Sequence, residues 1–517
     1  MTDQIVNGTS ALGSLPIFAK RVPTNSAAPT PGGSAVRPGR RRSTFQLTPR
    51  TTPIDPQFVV PAQAAASNEE LDWSLVAAFR AQASEQLTQA LGEDRGRLTT
   101  VEQHELGRGI ILELLRSAAE EAVSQGERAW SLAMEQRLAA AVFDSLFRLG
   151  RLQPLVDDDS VENIIITGAD RVILERTDGT MTTGPAVAGS DQELIDFLVF
   201  LASRSEVNAR PFSEAQPALH LRLDGGSRLA ATAWVTPRPS VVIRRHRLMQ
   251  VTLQDLVARA AMSPVMASFL AAVVKARGSI VVAGAQGAGK TTVVRALCSE
   301  IDPWEPIGTF ETEYELHLDQ LPEQHHIVHA WEARPGSGER GEDGRQTGEY
   351  TTAQQIIDSF RFNLTRQIVG EIRGSEVWSM IKVMESGSGS LSTTHARGGE
   401  DTMRKLVTCA MEAGSHVTQE LATSKLANTI DVIVQLHVET VPGPRPGVSR
   451  KNRWVSEVLA VSPGEAEKGY ALTQVFRPLP GQHAVAHLLP DHLNHLTGFG
   501  FDLDGFLREA HERGARS

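Results

Sequence analysis

The chain has 517 residues, and its 51 Lys plus Arg against 61 Asp plus Glu give a formal net charge of −10. That length exceeds one compact domain and leads to an expectation of roughly three. The acidic balance argues against a protein whose whole surface grips nucleic acid.

Two cysteines, Cys298 and Cys409, make neither a disulfide framework nor a metal cluster. Each reads as a small buried apolar residue on a helix, and the pair fits a reducing compartment. No apolar run approaches the ~20 residues of a membrane span, and the N-terminus lacks a signal-peptide core, so a cytosolic soluble protein is expected.

Residues 1–66 are rich in Pro, Thr, Ser, Ala and Gly without periodicity, a composition that predicts a disordered tail. Arg37, Arg40, Arg41, Arg42 and Arg50 make it basic, as a tether for an anionic partner or as a solvated tail. From Asn68 a helical period sets in. Leu71, Leu75, Val76 and Phe79 mark one stripe, and Val101, Leu106, Ile110, Leu114 and Leu115 a second. Trp130, Met134, Leu138, Val142 and Leu146 mark a third, so residues 67–150 read as a small helical bundle. Over 151–250 the period shifts toward two. Strands are expected at 161–167, 171–176, 219–223, 229–235 and 241–245, with one helix at 194–202, giving an α+β domain. Its arginines, among them Arg222, Arg228 and Arg244, fit a solvated face or a supply of cations to phosphate.

One or two helices over 253–276 lead into a β-branched run and then Gly284-Ala285-Gln286-Gly287-Ala288-Gly289-Lys290-Thr291-Thr292. Strand, Gly-x-x-x-x-Gly-Lys-Thr and helix in that order make a phosphate cradle. Glycines let backbone N–H groups turn inward, and the following helix offers its positive end. Lys290 would reach the β- and γ-phosphates, and the Thr291 hydroxyl would sit on Mg²⁺. A nucleoside triphosphate, ATP with Mg²⁺, is the expected ligand. Beyond the loop, strands at 307–310, 367–369 and 390–394 alternate with helices at 352–364, 377–385, 403–411 and 420–428. That alternation predicts a doubly wound parallel sheet. Two further strands, 431–438 and 454–461, flank a loop at 442–452, and a polar loop is expected over 335–348. The remainder carries weak signals.

Glu311 in Thr-Phe-Glu-Thr-Glu-Tyr-Glu and Glu371 in Ile-Val-Gly-Glu-Ile-Arg-Gly each follow a buried strand, where a parallel sheet directs them toward the phosphate loop. Hydrolysis needs one carboxylate to hold Mg²⁺, usually through water, and one to orient or deprotonate the attacking water. His395, closing Gly-Ser-Leu-Ser-Thr-Thr-His, either senses a γ-phosphate or is structural.

These four motifs, in this order, resemble the secretion ATPases of the CpaF/TadA type, a branch of the type II/type IV secretion and pilus-assembly superfamily. The resemblance spans about residues 100–480. It implies a RecA-like P-loop core with a parallel-rich sheet over 251–480, preceded by the α+β N-terminal domain and the helical bundle and followed by a 481–517 extension. It implies Gly284 to Thr292 as the Walker A loop, Glu311 and Glu315 as an acidic box, Glu371 as the Walker B glutamate (with Thr291 toward Mg²⁺) and His395 as the His-box histidine. It also implies Arg222, Arg228 and Arg244 as arginines that approach ATP. The implied assembly is a cytoplasmic homo-hexamer, peripheral at the inner face of the membrane on an integral inner-membrane platform protein. Nucleic acid is the less favoured partner. The sequence departs from the family pattern where Thr312 follows Glu311, where Gly387 replaces an upstream histidine, and in the insert 336–347.

Overall fold

The computed structural model describes residues 71–92, 98–126, 130–204, 212–223, 226–245, 250–334, 336, 346–443, 445, 448–464 and 468–514. The basic tail and most of the 335–348 loop therefore lie outside the described residues. The chain divides into two compact units. One takes the described residues up to Val172 with Gly184–Leu219 and Ala231–Val241; the other takes Ile173–Thr183, His220–Ala230 and everything from Val242.

The first unit opens with three helices, α1 (Trp73–Leu91), α2 (Thr100–Ser124) and α3 (Leu132–Phe147). Each starts on a side-chain cap: Asp72, the Thr99/Glu102 capping box and Ser131. Leu87, Leu115, Leu138 and Val142 sit at the centre of their common core. The inner face of α2 runs through Gly107, Ile111 and Leu115, one residue on from most of the expected stripe, and Val101 stands 66% exposed. A Cβ at Gly107 would sit 2.3 Å from the Phe147 ring, so the missing side chain is what admits α3. There follow α4 (Gln153–Asp157), β1 (Val161–Thr167), β2 (Arg171–Arg176), β3 (Thr180–Thr183), α5 (Asp191–Arg204), β4 (Ala218–Arg222), β5 (Arg228–Thr232) and β6 (Ser240–Arg244). Segments 173–183 and 220–230 of this stretch pack with the second unit.

The second unit continues with α6 (Leu253–Ala258), α7 (Pro264–Lys275), β7 (Ile280–Gly284), α8 (Lys290–Cys298), β8 (Ile307–Glu311) and β9 (Val328–Glu332). Then come α9 (Thr352–Ser359), β10 (Arg366–Ile372), α10 (Glu376–Glu385), β11 (Ser390–Thr394), α11 (Gly399–Met411) and α12 (Gln419–Thr429). Last are β12 (Val432–Pro442), β13 (Ser449–Pro463), β14 (Tyr470–Leu479), β15 (Gln482–Ala486) and α13 (Leu503–Gly514). Strands β12, β7, β11, β10, β8 and β9 lie side by side in that order, all parallel. β13 pairs antiparallel with β12, and β14 and β15 extend that edge. β7 shows why its sequence is a continuous apolar run: Ile280 and Val282 enter the core on one face, Val281 and Ala283 the core on the other. This is a mixed α/β, RecA-like core with a large parallel-rich sheet. Cys298 on α8 and Cys409 on α11 are buried and free.

The sequence reading did not anticipate α4, β3, β9, the β14–β15 hairpin or α13. The expected helix 352–364 ends at Ser359, and the expected 442–452 loop is shorter because the β12–β13 ladder continues to Pro442 and Ser449.

Candidate active site

The parallel registers place the C-terminal ends of β7, β8, β10 and β11 along one edge, with Ala283 opposite Thr394, Thr394 opposite Ile372, and Val369 opposite Phe310. Every strong candidate residue leaves the sheet at that edge. Gly284 ends β7 at φ 156°, where a Cβ would stand 2.9 Å from the Leu436 carbonyl oxygen. Gly289 caps α8 in the left-handed region at φ 90°, so Lys290 and Thr291 open the helix. Ala285, Gln286, Gly287 and Thr292 are exposed, whereas Ala288 is buried.

The Lys290 ammonium donates to the Gly284 and Ala285 carbonyls, each at 3.1 Å, and lies 3.0 Å from His395 Nδ1. Burial pushes Lys290 down to about 8; Glu371 and Glu315 pull the other way, while Arg244 and Lys405 add to the depression. His395 Nε2 stands 2.6 Å from Glu371 Oε1, and Glu371 Oε2 accepts from Arg373 at 2.6 Å. A polar chain thus runs Lys290, His395, Glu371, Arg373. His395 lies between the ammonium and the carboxylate, and burial, then Lys290, lowers its pKa. Burial raises the Glu371 carboxyl, but the Arg373 hydrogen bond and charge, with His395 and Lys290, hold it below the usual carboxylate range.

The second carboxylate group has a different character. Glu311, only 2% exposed, accepts at Oε1 from the backbone N–H groups of Glu315 (2.9 Å) and Leu316 (3.1 Å). Its Oε2 is buried and lacks a hydrogen-bond partner among the described residues. Burial raises this carboxyl to about 7 despite the two backbone bonds. Glu315 occupies both sides of the gap: Oε2 accepts from the Thr291 hydroxyl at 2.9 Å, and Oε1 from Arg228 at 2.7 Å. Arg228 also pairs with Glu313 at 2.8 Å and donates to the Tyr314 carbonyl at 2.8 Å. Arg222 pairs with Glu332 and lies 5.1 Å from the Tyr314 ring centroid. Arg244 makes no ion pair among the described residues, and its field reaches Lys290.

The structure therefore brings Lys290, Thr291, Glu311, Glu315, Glu371 and His395 into one constellation and holds Arg228 within it. Arg222 is tied instead to Glu332. A cleft of about 80 Å³ opens among Arg228, Thr291, Glu311, Glu315, Glu371 and Arg373. Its hard oxygen donors, with the buried Glu311 Oε2 and Glu371 Oε1 both lacking a hydrogen-bond partner among the described residues, fit a Mg²⁺ ion. Sequence reasoning missed Arg373 and Glu332. Arg373 was findable, standing two residues past Glu371 just beyond the end of β10; Glu332 sits on the unrecognised β9.

A family model described as type II/IV secretion system protein matches residues 148–443, more than half of the chain. The type IV secretion system protein VirB11 of Brucella suis is 27% identical over 323 residues, covering 56% of this chain and 85% of its own. The type IV secretion system protein PtlH of Bordetella pertussis is 31% identical over 180 residues, 34% of this chain and 50% of its own. Among solved structures, the VirB11 ATPase from the Brucella suis type IV secretion system, in complex with sulphate, aligns at 24% identity with a TM-score of 0.31, covering 61% of this chain and 96% of that one.

Proposed function

We propose, since this chain belongs to the type II/IV secretion system protein family, that it is an ATP-hydrolysing motor of the CpaF/TadA type. It assembles as a homo-hexamer at the cytoplasmic face of the membrane and powers secretion or pilus assembly. Residues 251–480 form the ATPase domain, 151–250 the cation-bearing N-terminal domain and 67–150 an accessory bundle. No helix among the described residues is long and apolar enough to cross a membrane. Attachment in this reading falls to an integral inner-membrane platform protein.

One observation carries the reading: a phosphate-loop lysine, a histidine and a strand-end carboxylate joined in a chain, with a second buried carboxylate beside them. The loop N–H groups, from Gly284 to Thr292, cradle the phosphates. Lys290 exchanges its carbonyl and His395 contacts for phosphate oxygens. Thr291, Glu371 and the acidic pair Glu311 and Glu315 supply the oxygens that would hold Mg²⁺, directly or through water. Held there with the nucleotide, Mg²⁺ would supply positive charge that offsets the phosphates and orders the terminal phosphoryl group. Glu371, kept ionised by Arg373, orients the attacking water and takes its proton. His395, released by Lys290, is free to hydrogen-bond the terminal phosphate.

The test is ATP turnover and Mg²⁺–ATP binding in the parent, Lys290→Ala and Glu371→Gln, with and without membrane extract or DNA. Lys290→Ala abolishes turnover, because the point charge on the terminal phosphates is gone. Glu371→Gln retains binding and loses about 10²-fold or more in rate. Near-parental hydrolysis by Lys290→Ala sinks the site, and stimulation by DNA alone favours a nucleic-acid translocase.

A further inference from the structure

Beside the phosphate loop lies a buried carboxylate with no part in hydrolysis. Glu175 on β2, its side chain 2% exposed, accepts from Lys451 Nζ and from Arg453 Nη2, each at 2.7 Å. The two cations alternate on β13 and so share one face of the strand. β13 is held there by β3, with Thr180 opposite Arg450, and by a bond from Lys451 N–H to the Gly179 carbonyl at 2.9 Å. Burial disfavours the charged form of Glu175, yet Lys451 and Arg453 hold its carboxyl below the usual range.

Arg453 has a second contact. Its Nε donates to the Gly287 carbonyl at 2.8 Å, and its stem passes over the loop, 3.7 Å from where a Cβ on Gly289 would stand. One planar guanidinium thus joins the phosphate loop at Nε and the buried carboxylate at Nη2, which a lysine cannot do. In a trans peptide the carbonyl and the next N–H point in opposite directions. With the Gly287 oxygen on Arg453, the Ala288 N–H faces the other way, where it closes on the Ala285 carbonyl at 3.2 Å. A carbonyl turned into the cradle would set its negative end against phosphate oxygens.

We propose that Arg453 is a positioning residue for the phosphate loop, holding the Gly287 carbonyl outside the cradle, and that Glu175 is the buried counterion that fixes Arg453. This rests on the loop being a nucleotide site. Lys451 shares the carboxylate but not the loop, so it separates positioning from general stability.

The experiment is calorimetric binding of Mg²⁺–ADP to the full chain, with melting temperature recorded for each variant. Arg453→Ala weakens binding about tenfold, the scale of a charge-assisted hydrogen bond. Arg453→Lys, which keeps a charge beside Glu175, weakens it comparably at near-parental melting temperature and serves if the alanine variant fails to fold. Glu175→Gln weakens binding severalfold in the parent but adds nothing in the Arg453→Ala background, the non-additivity of residues acting in series. Lys451→Ala lowers the melting temperature without changing affinity. Parental affinity in both Arg453 variants, or an equal loss in Lys451→Ala, overturns the proposal alone. Absence of Mg²⁺–ADP binding by the parent overturns it together with the nucleotide-site reading.

Discussion

Two glutamates at neighbouring strand ends meet opposite environments, and the difference is testable by pH. Glu371 stands between Arg373 and His395, so it is ionised across the neutral range. Glu311 has two backbone donors on one oxygen and, among the described residues, none on the other, and burial lifts it from 4.5 to about 7. Between those values the native state holds a proton that the unfolded chain has lost, so this group's contribution to stability is lost as pH rises from about 4.5 through about 7. Glutamine mimics the protonated acid and does not titrate. Nucleotide-free Glu311→Gln should therefore melt above the parent at pH 8, with the gap closing toward pH 5. At ~1.4 kcal/mol per pKa unit the ceiling is ~3.5 kcal/mol. A pH-independent gap between variant and parent would disprove the assignment. At this scale the sequence was legible where chemistry and spacing coincide: Lys290, Thr291, Glu311, Glu371 and His395 were all named from motif and strand-end position, and they meet. Arg453 and Glu175 were not, because 278 positions of chain separate partners whose only link is the register of β13 on β3.

Among elements, strands buried on both faces announced themselves, since β7 and β11 are apolar or small on each side and β10 is so over Ile368–Gly370. β9 is half-buried along its whole length and shows neither alternation nor a continuous apolar run. The overlong helix at 352–364 has a related cause. Phe360 and Phe362 continue the apolar spacing beyond Ser359, but Asn363 turns to φ 53° and Phe362 packs edge-on against Trp331 of β9. The turn between α10 and β11 offers a controlled comparison. Gly387 and Gly389 both sit at φ 70°, so alanine at either one is strained. A Cβ on Gly387 meets nothing within 4 Å, whereas one on Gly389 would stand 3.0 Å from Arg277 Cα and 2.7 Å from Arg366 Nη1. Arg366 cannot easily yield, being buried and locked to Glu305 and the Val274 carbonyl. Urea denaturation should show Gly387→Ala costing about 1 kcal/mol and Gly389→Ala about 2–3 kcal/mol or more. Equal costs would mean that the Arg277–Arg366 wall gives way.

For the molecule as a whole, the proposed hydrolysis calls for cations at its transition state. Charge builds on the terminal phosphoryl oxygens during hydrolysis, and an arginine delivered there is worth about 10³-fold or more in rate. In the single chain Arg228 is spent on Glu313, Glu315 and the Tyr314 carbonyl, and Arg222 on Glu332. Glu315 also holds the Thr291 hydroxyl, so one carboxylate restrains both a candidate metal ligand and a candidate cation. Arg244 makes no ion pair among the described residues, and it already weighs on Lys290 by repulsion. On the proposed reading, a bound triphosphate would compete with Glu315 for Thr291 and Arg228 at once and would offset the cost of setting Arg244 near Lys290. Nucleotide should therefore favour the state in which these arginines face phosphate, and in a ring that state involves a neighbouring copy. Mass measured with a non-hydrolysable ATP analogue is expected to be six times that of the chain, and smaller without it. In the assembled protein Arg228→Ala should lower kcat by ~10³-fold with little change in melting temperature, because partly exposed ion pairs contribute only ~0–1 kcal/mol to stability. A parent that remains a single chain under saturating nucleotide, yet turns over as fast as at any concentration, would show that no second copy supplies the cation. Parental turnover in Arg222→Ala, Arg228→Ala and Arg244→Ala would show that none of these three supplies it either.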